Sequence, residues 1–195
     1  MNKENSIYID QIKVEDIPWH RLTTPYGRAT EFPSLFDKIS HNDVDAIRKL
    51  ANEIEHQDTL YHSTPFALIF ICRILKENSI DSNTKEKLLS LLIMISEAIQ
   101  TCLGYDGDKY HLEFISDMLL EEHLWSEVYD EDDDIARYME GGGPSDQLFG
   151  SFYFFSIETL NHFSDVFVIL EGDSNPAVRD SSIELNEHIK CLLWE

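Results

Sequence analysis

Basic residues are scarce in this sequence of 195 residues. It has 15 Lys plus Arg against 37 Asp plus Glu, a formal net charge of −22, and the bases do not cluster beyond Arg48 and Lys49. A surface this acidic repels phosphate backbones and anionic lipid headgroups. We therefore expect neither nucleic acid nor a membrane as a partner, and a basic protein surface is favoured instead.

Cysteine and long apolar runs are also scarce. The three cysteines, Cys72, Cys102 and Cys191, lie in apolar stretches, where a free cysteine is typically a small buried hydrophobe. The longest apolar stretch, LLSLLIMI at 88–95, is too short to span a bilayer, and the first ten residues lack the apolar run of a signal peptide. These patterns predict a protein of the reducing cytoplasm.

Proline and glycine are few but locally dense near the N-terminus, where Pro18, Pro25 and Gly27 fall within ten positions. Such a density suits neither a helix nor a central strand, so residues 1–32 are predicted to form an irregular arm. With 43% apolar and 11% aromatic residues, the chain can bury a real core. At this length one domain is the default, and we predict a single domain with helical repeats over 33–195.

Helical periodicity dominates the chain after the arm. Apolar residues recur at three- and four-residue steps, Asn42 or Asp43 can cap one helix, Ser145 can open another, and Asn175 can cap a third with Pro176 in its first turn. The predicted helices lie at 33–39, 44–54, 64–75, 83–103, 146–171 and 176–195.

Two of these helices, 44–54 and 64–75, form with the turn between them a unit of about 35 residues, the size of one α-solenoid repeat. Gly104 is expected to stop the third long helix, and GGGP at 141–144 to act as a hinge or connector. Residues 110–138 have weaker helical spacing with a flexible break. The pattern predicts an all-α fold of roughly seven helices in antiparallel pairs, with no sheet.

The C-terminal stretch LEGDSNPAVRDSSIELNEHI, residues 170–189, resembles the turn and second helix of a HEAT repeat. The match lies at Asp173, Pro176, Val178 and Arg179. HEAT repeats typically have alanine three residues after that arginine, and this chain has a serine there, which is also small. The resemblance implies repeated helix pairs of the HEAT type.

A second resemblance covers WHRLTTPYGRATEFPSLFDKI at 19–39 and IEHQDTLYHSTPFALIFICRIL at 54–75. Both are similar to the N-terminal pattern of small bacterial HEAT-like proteins, in which a Trp, a Tyr-Gly and a proline precede the first helix pair. Residues 80–145 match no repeat. Several members of that group are immunity proteins encoded beside polymorphic or contact-dependent toxins. The resemblance therefore implies a short HEAT- or armadillo-like α-solenoid that neutralises a toxin.

Acidic residues are concentrated in the C-terminal half. Residues 110–195 hold 20 acids against 3 bases, whereas residues 1–109 hold 17 against 12. Eight acids between positions 121 and 134 precede the first Lys or Arg of that half, Arg137. Trp125 and Tyr129, four residues apart, are predicted to share a helix face among these acids. The segment favours docking of a basic partner, with the two rings as apolar anchors.

The predicted partner-binding site follows from this segment. Its residues are Glu121, Glu122, Trp125, Glu127, Tyr129, Asp130, Glu131, Asp132, Asp133 and Asp134. The alternative is a solvated, irregular segment near 121–145 that only keeps the protein soluble. A calcium loop is disfavoured, because DEDDD lacks the glycine and the distal glutamate of an EF-hand.

Catalytic and metal-binding signatures are not found. His56, Asp58 and His62 lie within seven residues, but metal ligands must converge in space, and polar residues of a turn explain the pattern better. There is no HExxH or GxSxG motif, and GGGPSD lacks the Lys-Ser/Thr ending of a P-loop. We therefore expect a protein that is not an enzyme and has no cofactor or metal.

Together these observations predict an immunity protein that binds and occludes a cognate toxin with a basic surface, a nuclease being one candidate. The free protein is expected to be a monomer, and the complex a heterodimer with the toxin. A HEAT-like adaptor that binds a cellular protein or peptide is the alternative function, and it fits the same physics.

Overall fold

The computed structural model describes residues 2–77, 79–103 and 110–194. Within these ranges the fold is all-α, as predicted, with nine α-helices and two very short hairpins. The helices are α1 Lys3–Gln11, α2 Phe32–Ser40, α3 Val44–Ile54, α4 Thr64–Glu77, α5 Ser82–Leu103, α6 Glu131–Met139, α7 Asp146–His162, α8 Ser164–Leu170 and α9 Pro176–Trp194. The strands are β1 Thr23–Thr24, β2 Gly27–Arg28, β3 Glu55–His56 and β4 Thr59–Leu60.

The two antiparallel hairpins, β1 with β2 and β3 with β4, contradict the prediction of a chain without strands. The second hairpin turns at Gln57 and Asp58, whose φ values of 53° and 61° suit the twist of a two-residue hairpin loop. The hairpins lie side by side, because the amide and the hydroxyl of Ser63 both donate to the Thr23 carbonyl. Together they build one side of the groove described below.

The first 32 residues are not an irregular arm throughout. They begin with α1, which is capped by Asn2, whose side chain accepts from the Asn5 amide at 2.8 Å. Ile9 of α1 and Leu22 beyond it are fully buried in the core. The prediction is wrong over Lys3–Gln11, because the prolines and the glycine that suggested it all lie beyond this helix.

Helix α3 packs on α2 and α5, and α2 also packs on α4. The predicted pairing of 44–54 with 64–75 is therefore wrong, since the β3–β4 hairpin separates the two helices and α3 folds back on α2. The reversal is made at Asn42, whose φ of 67° is left-handed, and at Asp43, whose side chain caps α3 as predicted. The left-handed residue Asn42 and the helix cap Asp43 thus place α3 against α2.

Successive helix pairs pack in chain order. Helix α4 lies against α7 and α5 lies against α9, so the pair α4–α5 contacts the helices on both sides of it. Side chains join the connecting turns in the same order: Asn42 Oδ1 accepts from the Asp81 amide at 2.7 Å, and Lys85 Nζ lies 3.3 Å from Asp173 Oδ2. A solenoid requires neighbours in this order, and the superhelix itself stays a prediction.

The HEAT-like turn before α9 is a local polar network. The Asp173 side chain accepts from the Asn175 amide at 2.8 Å, and the Asn175 side chain caps α9 by accepting from the Ala177 amide at 2.9 Å. The bond from Asn175 and the ammonium of Lys85 hold the pKa of Asp173 below its usual value. The predicted helix start at Pro176 is confirmed.

Two other helix ends bear on the predictions. Ser145 caps α7, as predicted, by accepting from the Leu148 amide at 3.2 Å. The single helix predicted over 146–171 is broken at Phe163, whose φ of −96° and ψ of 10° separate α7 from α8. The predicted stop at Gly104 lies outside the described residues.

The core is built mainly from α4, α5, α7 and α9. Cys72 is buried within it, and burial raises the pKa of its thiol. Cys102 is half-buried and donates to the Asp58 carbonyl at 3.3 Å, whereas Cys191 is exposed, so the prediction of a buried thiol is wrong for Cys191. In the described ranges no helix is both long and apolar enough to cross a membrane.

Candidate functional site

The acid-rich segment does not form the helix face that the sequence predicts. Residues 121–130 are irregular, and α6 begins only after Asp130, whose side chain caps the helix by accepting from the Asp133 amide at 3.1 Å. The prediction that Trp125 and Tyr129 share a helix face is therefore wrong. Both residues lie in the irregular stretch, where contacts with the N-terminal part of the chain orient them.

Arg21 holds the start of this segment. Its guanidinium donates to Glu121 at 2.6 and 2.8 Å and to Glu127 at 3.0 Å, while its Nε donates to the Trp125 carbonyl at 2.5 Å. The bond from Arg21 lowers the pKa of Glu121, and a bond with His20 lowers the pKa of Glu127. The base that balances Glu121 thus comes from a turn 100 residues earlier in the chain.

Arg28 holds α6 in a more buried setting. Its Nε and Nη2 donate to the two oxygens of Asp134 at 2.8 and 2.6 Å, and the two side chains are only 3% and 16% exposed. The Arg28 guanidinium also lies 5.0 Å from the Trp125 ring centroid and 5.7 Å from that of Tyr129. Arg137 lies 4.7 Å from the Trp125 centroid. Trp125 therefore contacts two arginines of its own chain, a favourable cation–π arrangement.

The ten residues predicted as a partner site divide by their surroundings. Three carboxylates are held by arginines of the same chain: Glu121, Glu127 and Asp134. Five residues line one groove: Glu122, Trp125, Tyr129, Glu131 and Asp134. Three lie at or near the start of α6, exposed and outside the groove: Asp130, Asp132 and Asp133. The structure thus brings together half of the predicted site.

An open groove of about 1190 Å³ lies beside this segment. Its lining comes from the β1–β2 hairpin, from β4 and the two residues after it, and from residues 122–129 of the acid-rich segment. The rest comes from α6, from residues 142–145 and from the first turns of α7. Its apolar base includes Leu60, His62 and Phe152, which are almost fully buried. A groove of this volume accommodates several side chains of a partner.

Exposed aromatic residues are the part of the groove that the sequence analysis missed. Tyr26, Tyr138 and Phe149 are 64%, 62% and 42% exposed, and Tyr61 is half-buried. Burial, the carboxylate of Glu55 and the hydroxyls of Tyr26 and Tyr138 raise the pKa of Tyr61, so these groups lie near one another. The sequence carries one signal for them, the Tyr-Gly pair in the turn of β1–β2.

Two groove carboxylates make no ion pair with any described base. Glu131 and Asp146 lie in the first turns of α6 and α7, and both are exposed. A third, Glu122, has an oxygen 3.7 Å from Nε2 of His123. Exposed carboxylates beside aromatic rings attract cations, because the negative field and the ring faces act on the same group.

His62 is engaged within the protein rather than available as a ligand. Its Nε2 donates to the Met118 carbonyl at 2.8 Å, and its ring stacks on Phe152 with the centroids 5.5 Å apart. Burial lowers the pKa of His62 to about 4, so the ring is neutral at physiological pH. Across the part of the chain that the structure describes, no cluster of three or more His, Cys, Asp and Glu is placed to hold a metal ion.

A chain of Ser, His and Asp side chains occurs away from the groove. Ser6 Oγ lies 3.2 Å from His162 Nδ1, and His162 Nε2 lies 2.9 Å from Asp10 Oδ1. These three residues are not among those that line the groove. Ser6 and Asp10 are one turn apart on α1, and both contact His162 at the end of α7. We interpret these two hydrogen bonds as the link that holds α1 to α7.

No protein-family model matches the chain, and no curated protein or solved structure is significantly similar to it.

Proposed function

We propose that the protein is an immunity protein, a binding module that neutralises a basic toxin by covering part of its surface. The observation that carries this proposal is the open groove of about 1190 Å³, which combines exposed aromatic rings with carboxylates that have no base among the described residues. Aromatic residues in a recess are the usual anchors of protein interfaces. The resemblance to HEAT-like immunity proteins favours a toxin as the partner.

The charge distribution supports a basic toxin surface. The C-terminal half of the chain, which supplies α6, α7 and the acid-rich segment to the groove, carries 20 acids against 3 bases. Such a field speeds the association of a basic partner and weakens with added salt, because surface charges are screened. The carboxylates already paired with Arg21 and Arg28 add little to this field locally, so Glu131 and Asp146 are the groove acids most able to contact a partner.

The first expected result is that the gene beside the one for this chain encodes a toxin with a basic domain, and the test is neutralisation of that domain. Bacteria that express the toxin domain should grow when the chain is present and fail to grow without it. The purified proteins should form a heterodimer in size-exclusion chromatography. The double variant Glu131→Gln with Asp146→Asn should bind more slowly and with a weaker dependence on salt, as measured by surface plasmon resonance.

The matched control changes two acids outside the groove, Asp165→Asn with Glu184→Gln, and removes the same net charge. If this control slows association as much as the groove variant, net charge rather than the groove recruits the toxin. Failure of the wild-type chain to bind and to rescue growth would contradict the proposal. A complex without growth rescue would favour the alternative function, an adaptor.

A further inference from the structure

Three tyrosines from three different elements line the same groove. Tyr26 comes from the turn of β1–β2, Tyr61 follows β4, and Tyr138 lies in the last turn of α6. Tyr26 and Tyr138 are more than half exposed, at 64% and 62%. Tyr61 is half-buried and lines the groove between them in the chain order of its elements. We call these three residues the tyrosine cluster.

The same groove already shows how its aromatic rings contact guanidinium groups. Arg28 and Arg137 lie 5.0 and 4.7 Å from the Trp125 centroid, and Arg28 lies 5.7 Å from the Tyr129 centroid. Among the described residues, none of the cation–ring contacts involves the tyrosine cluster. Within the cluster, the Tyr26 ring lies edge-on to the ring of His56 with the centroids 5.6 Å apart, and the rings of the cluster carry no Lys or Arg of the described residues.

Carboxylates near the tyrosine cluster favour a positive ligand over a neutral one. Glu131 and Asp146 line the same groove without an ion pair to a described base, and Glu55 is close enough to raise the pKa of Tyr61. A cation–π contact gains strength when a carboxylate binds the same cation, and both interactions are stronger in a recess than on an open surface. An apolar ligand would gain only from the rings.

We propose that the tyrosine cluster binds an arginine side chain of the basic partner, presented on an extended segment that lies in the groove. The identity of the partner rests on the proposed function, but the chemistry of the cluster does not. Arginine fits better than lysine, because a planar guanidinium stacks on a ring while its edge donates to a carboxylate. In this chain the Arg28 guanidinium lies over the Trp125 ring and donates to the Asp134 carboxylate.

The experiment measures the binding of a short fluorescent peptide that contains several arginines, by fluorescence anisotropy at low salt. The comparison peptide has citrulline at the same positions, which keeps the shape and removes the charge. The arginine peptide should bind roughly tenfold or more tightly than the citrulline peptide. A version with lysine should bind with intermediate affinity.

Variants of Tyr138 separate a ring contact from simple apolar contact. Tyr138→Phe keeps the ring and should retain most of the affinity, whereas Tyr138→Leu keeps apolar volume and should lose roughly tenfold. The matched control is Tyr110→Leu, since Tyr110 is 61% exposed and does not line the groove. Tyr138 is exposed, so these substitutions should leave the helical circular dichroism spectrum unchanged.

Three results would overturn the inference: equal binding of the arginine and citrulline peptides, no loss with Tyr138→Leu, or an equal loss with Tyr110→Leu. The outcome is separable from that of the proposed function. If Tyr138→Leu still neutralises and binds the toxin as the wild type does, the proposed function stands and this inference fails. If the peptide binds through Tyr138 but no toxin is neutralised, the cluster binds arginine and the proposed function fails.

Discussion

Helices α4 and α6 are held in place by opposite means. Helix α4 buries 11 of its 14 residues, whereas α6 buries none of its nine described residues. Helix α6 is held by two specific side-chain contacts, the ion pair of Arg28 with Asp134 and the cation–π contact of Arg137 with Trp125. Apolar burial secures α4 through many small contacts, and a few polar contacts secure α6.

The groove is lined in part by the weakly buried helix. Helix α6 supplies one part of the groove lining, with Ile135 and Tyr138 exposed at 55% and 62%. Elements with few buried contacts open locally at a smaller free-energy cost than the core does. The groove therefore combines buried residues of α7 with exposed residues of α6, and we expect α6 to open locally more readily than α7.

Removing a buried ring from α4 should produce the largest loss of stability. Phe66 is fully buried, so Phe66→Ala should lower the free energy of unfolding by about 3–5 kcal/mol, through lost transfer energy and the cavity left behind. Urea denaturation measured by circular dichroism would show it. The paired control is Ile135→Ala on α6, which should change this free energy by less than about 0.5 kcal/mol. Similar losses in both variants would remove the contrast between the two helices.

Acidification should destabilise the protein through His62, which lies between the core and the groove. Its pKa is lowered to about 4 in the folded state from 6.5, so the unfolded state takes up the proton first as the pH falls. Stability is then full above 6.5 and is lost as the pH falls towards 4, by roughly 3 kcal/mol over that window. Urea denaturation across this pH range would measure the slope.

The variant His62→Gln should lose the part of the pH dependence of stability that comes from His62, because glutamine does not titrate. Glutamine can still donate to the Met118 carbonyl, so the buried hydrogen bond is kept. His41→Gln serves as the control, since the His41 side chain is 76% exposed, and it should keep the wild-type slope. An unchanged slope in His62→Gln would assign the acid sensitivity to the carboxylates instead.

Breaking the Arg28–Asp134 pair should loosen α6 without unfolding the core. In Arg28→Met the Asp134 carboxylate can regain water if α6 swings out, so we expect amide hydrogen exchange in α6 to rise at least about tenfold. The free energy of global unfolding should change by less than about 1 kcal/mol. Hydrogen exchange measured by mass spectrometry resolves the two effects.

Replacing both partners, Arg28→Met with Asp134→Leu, should restore much of the protection, because neither buried charge remains. Arg48→Met, which removes an exposed pair with Asp45, should leave exchange in α6 as in the wild type. A global loss of stability in Arg28→Met would mean that α6 and the core unfold together.

The smallest effect should come from the exposed partner of Arg21. Glu121→Gln keeps a hydrogen-bond acceptor, and Arg21 retains Glu127, so the melting temperature should not change measurably. Differential scanning calorimetry at low and high salt would check this. A clear, salt-dependent decrease would show that this exposed pair holds the segment as firmly as the buried Arg28–Asp134 pair holds α6.

Much of the helical framework could be predicted because helix signals are local. Asp43, Ser145 and Asn175 each cap a helix by contacts within three residues along the chain, so their pattern is visible without a fold. The pairing of helices was not predictable in the same way. Whether 44–54 packs on α2 or on α4 depends on the left-handed turn at Asn42 and on the β3–β4 hairpin.

Half of the residues predicted for the site line the groove, but they make up a minor part of its lining. Composition pointed to Glu122, Trp125, Tyr129 and Glu131, which do line the groove, but it gave no means to find Tyr138. An exposed tyrosine in an acidic helix has no sequence signal of its own. Its place in the groove depends on the hairpins across from it, and these are positioned in part by the hydrogen bond between positions 23 and 63, which lie 40 residues apart.

The amino-acid sequence by itself determined the excess of acid, its concentration in the C-terminal half and the starts of several helices, because charge and capping depend on single residues and their neighbours. Only the tertiary structure decided which acids remain available to a partner. Glu121 and Asp134 are matched by Arg21 and Arg28, residues 100 and 106 positions earlier in the chain. An ion pair requires proximity in space, and no local pattern encodes a partner that packing brings from so far away.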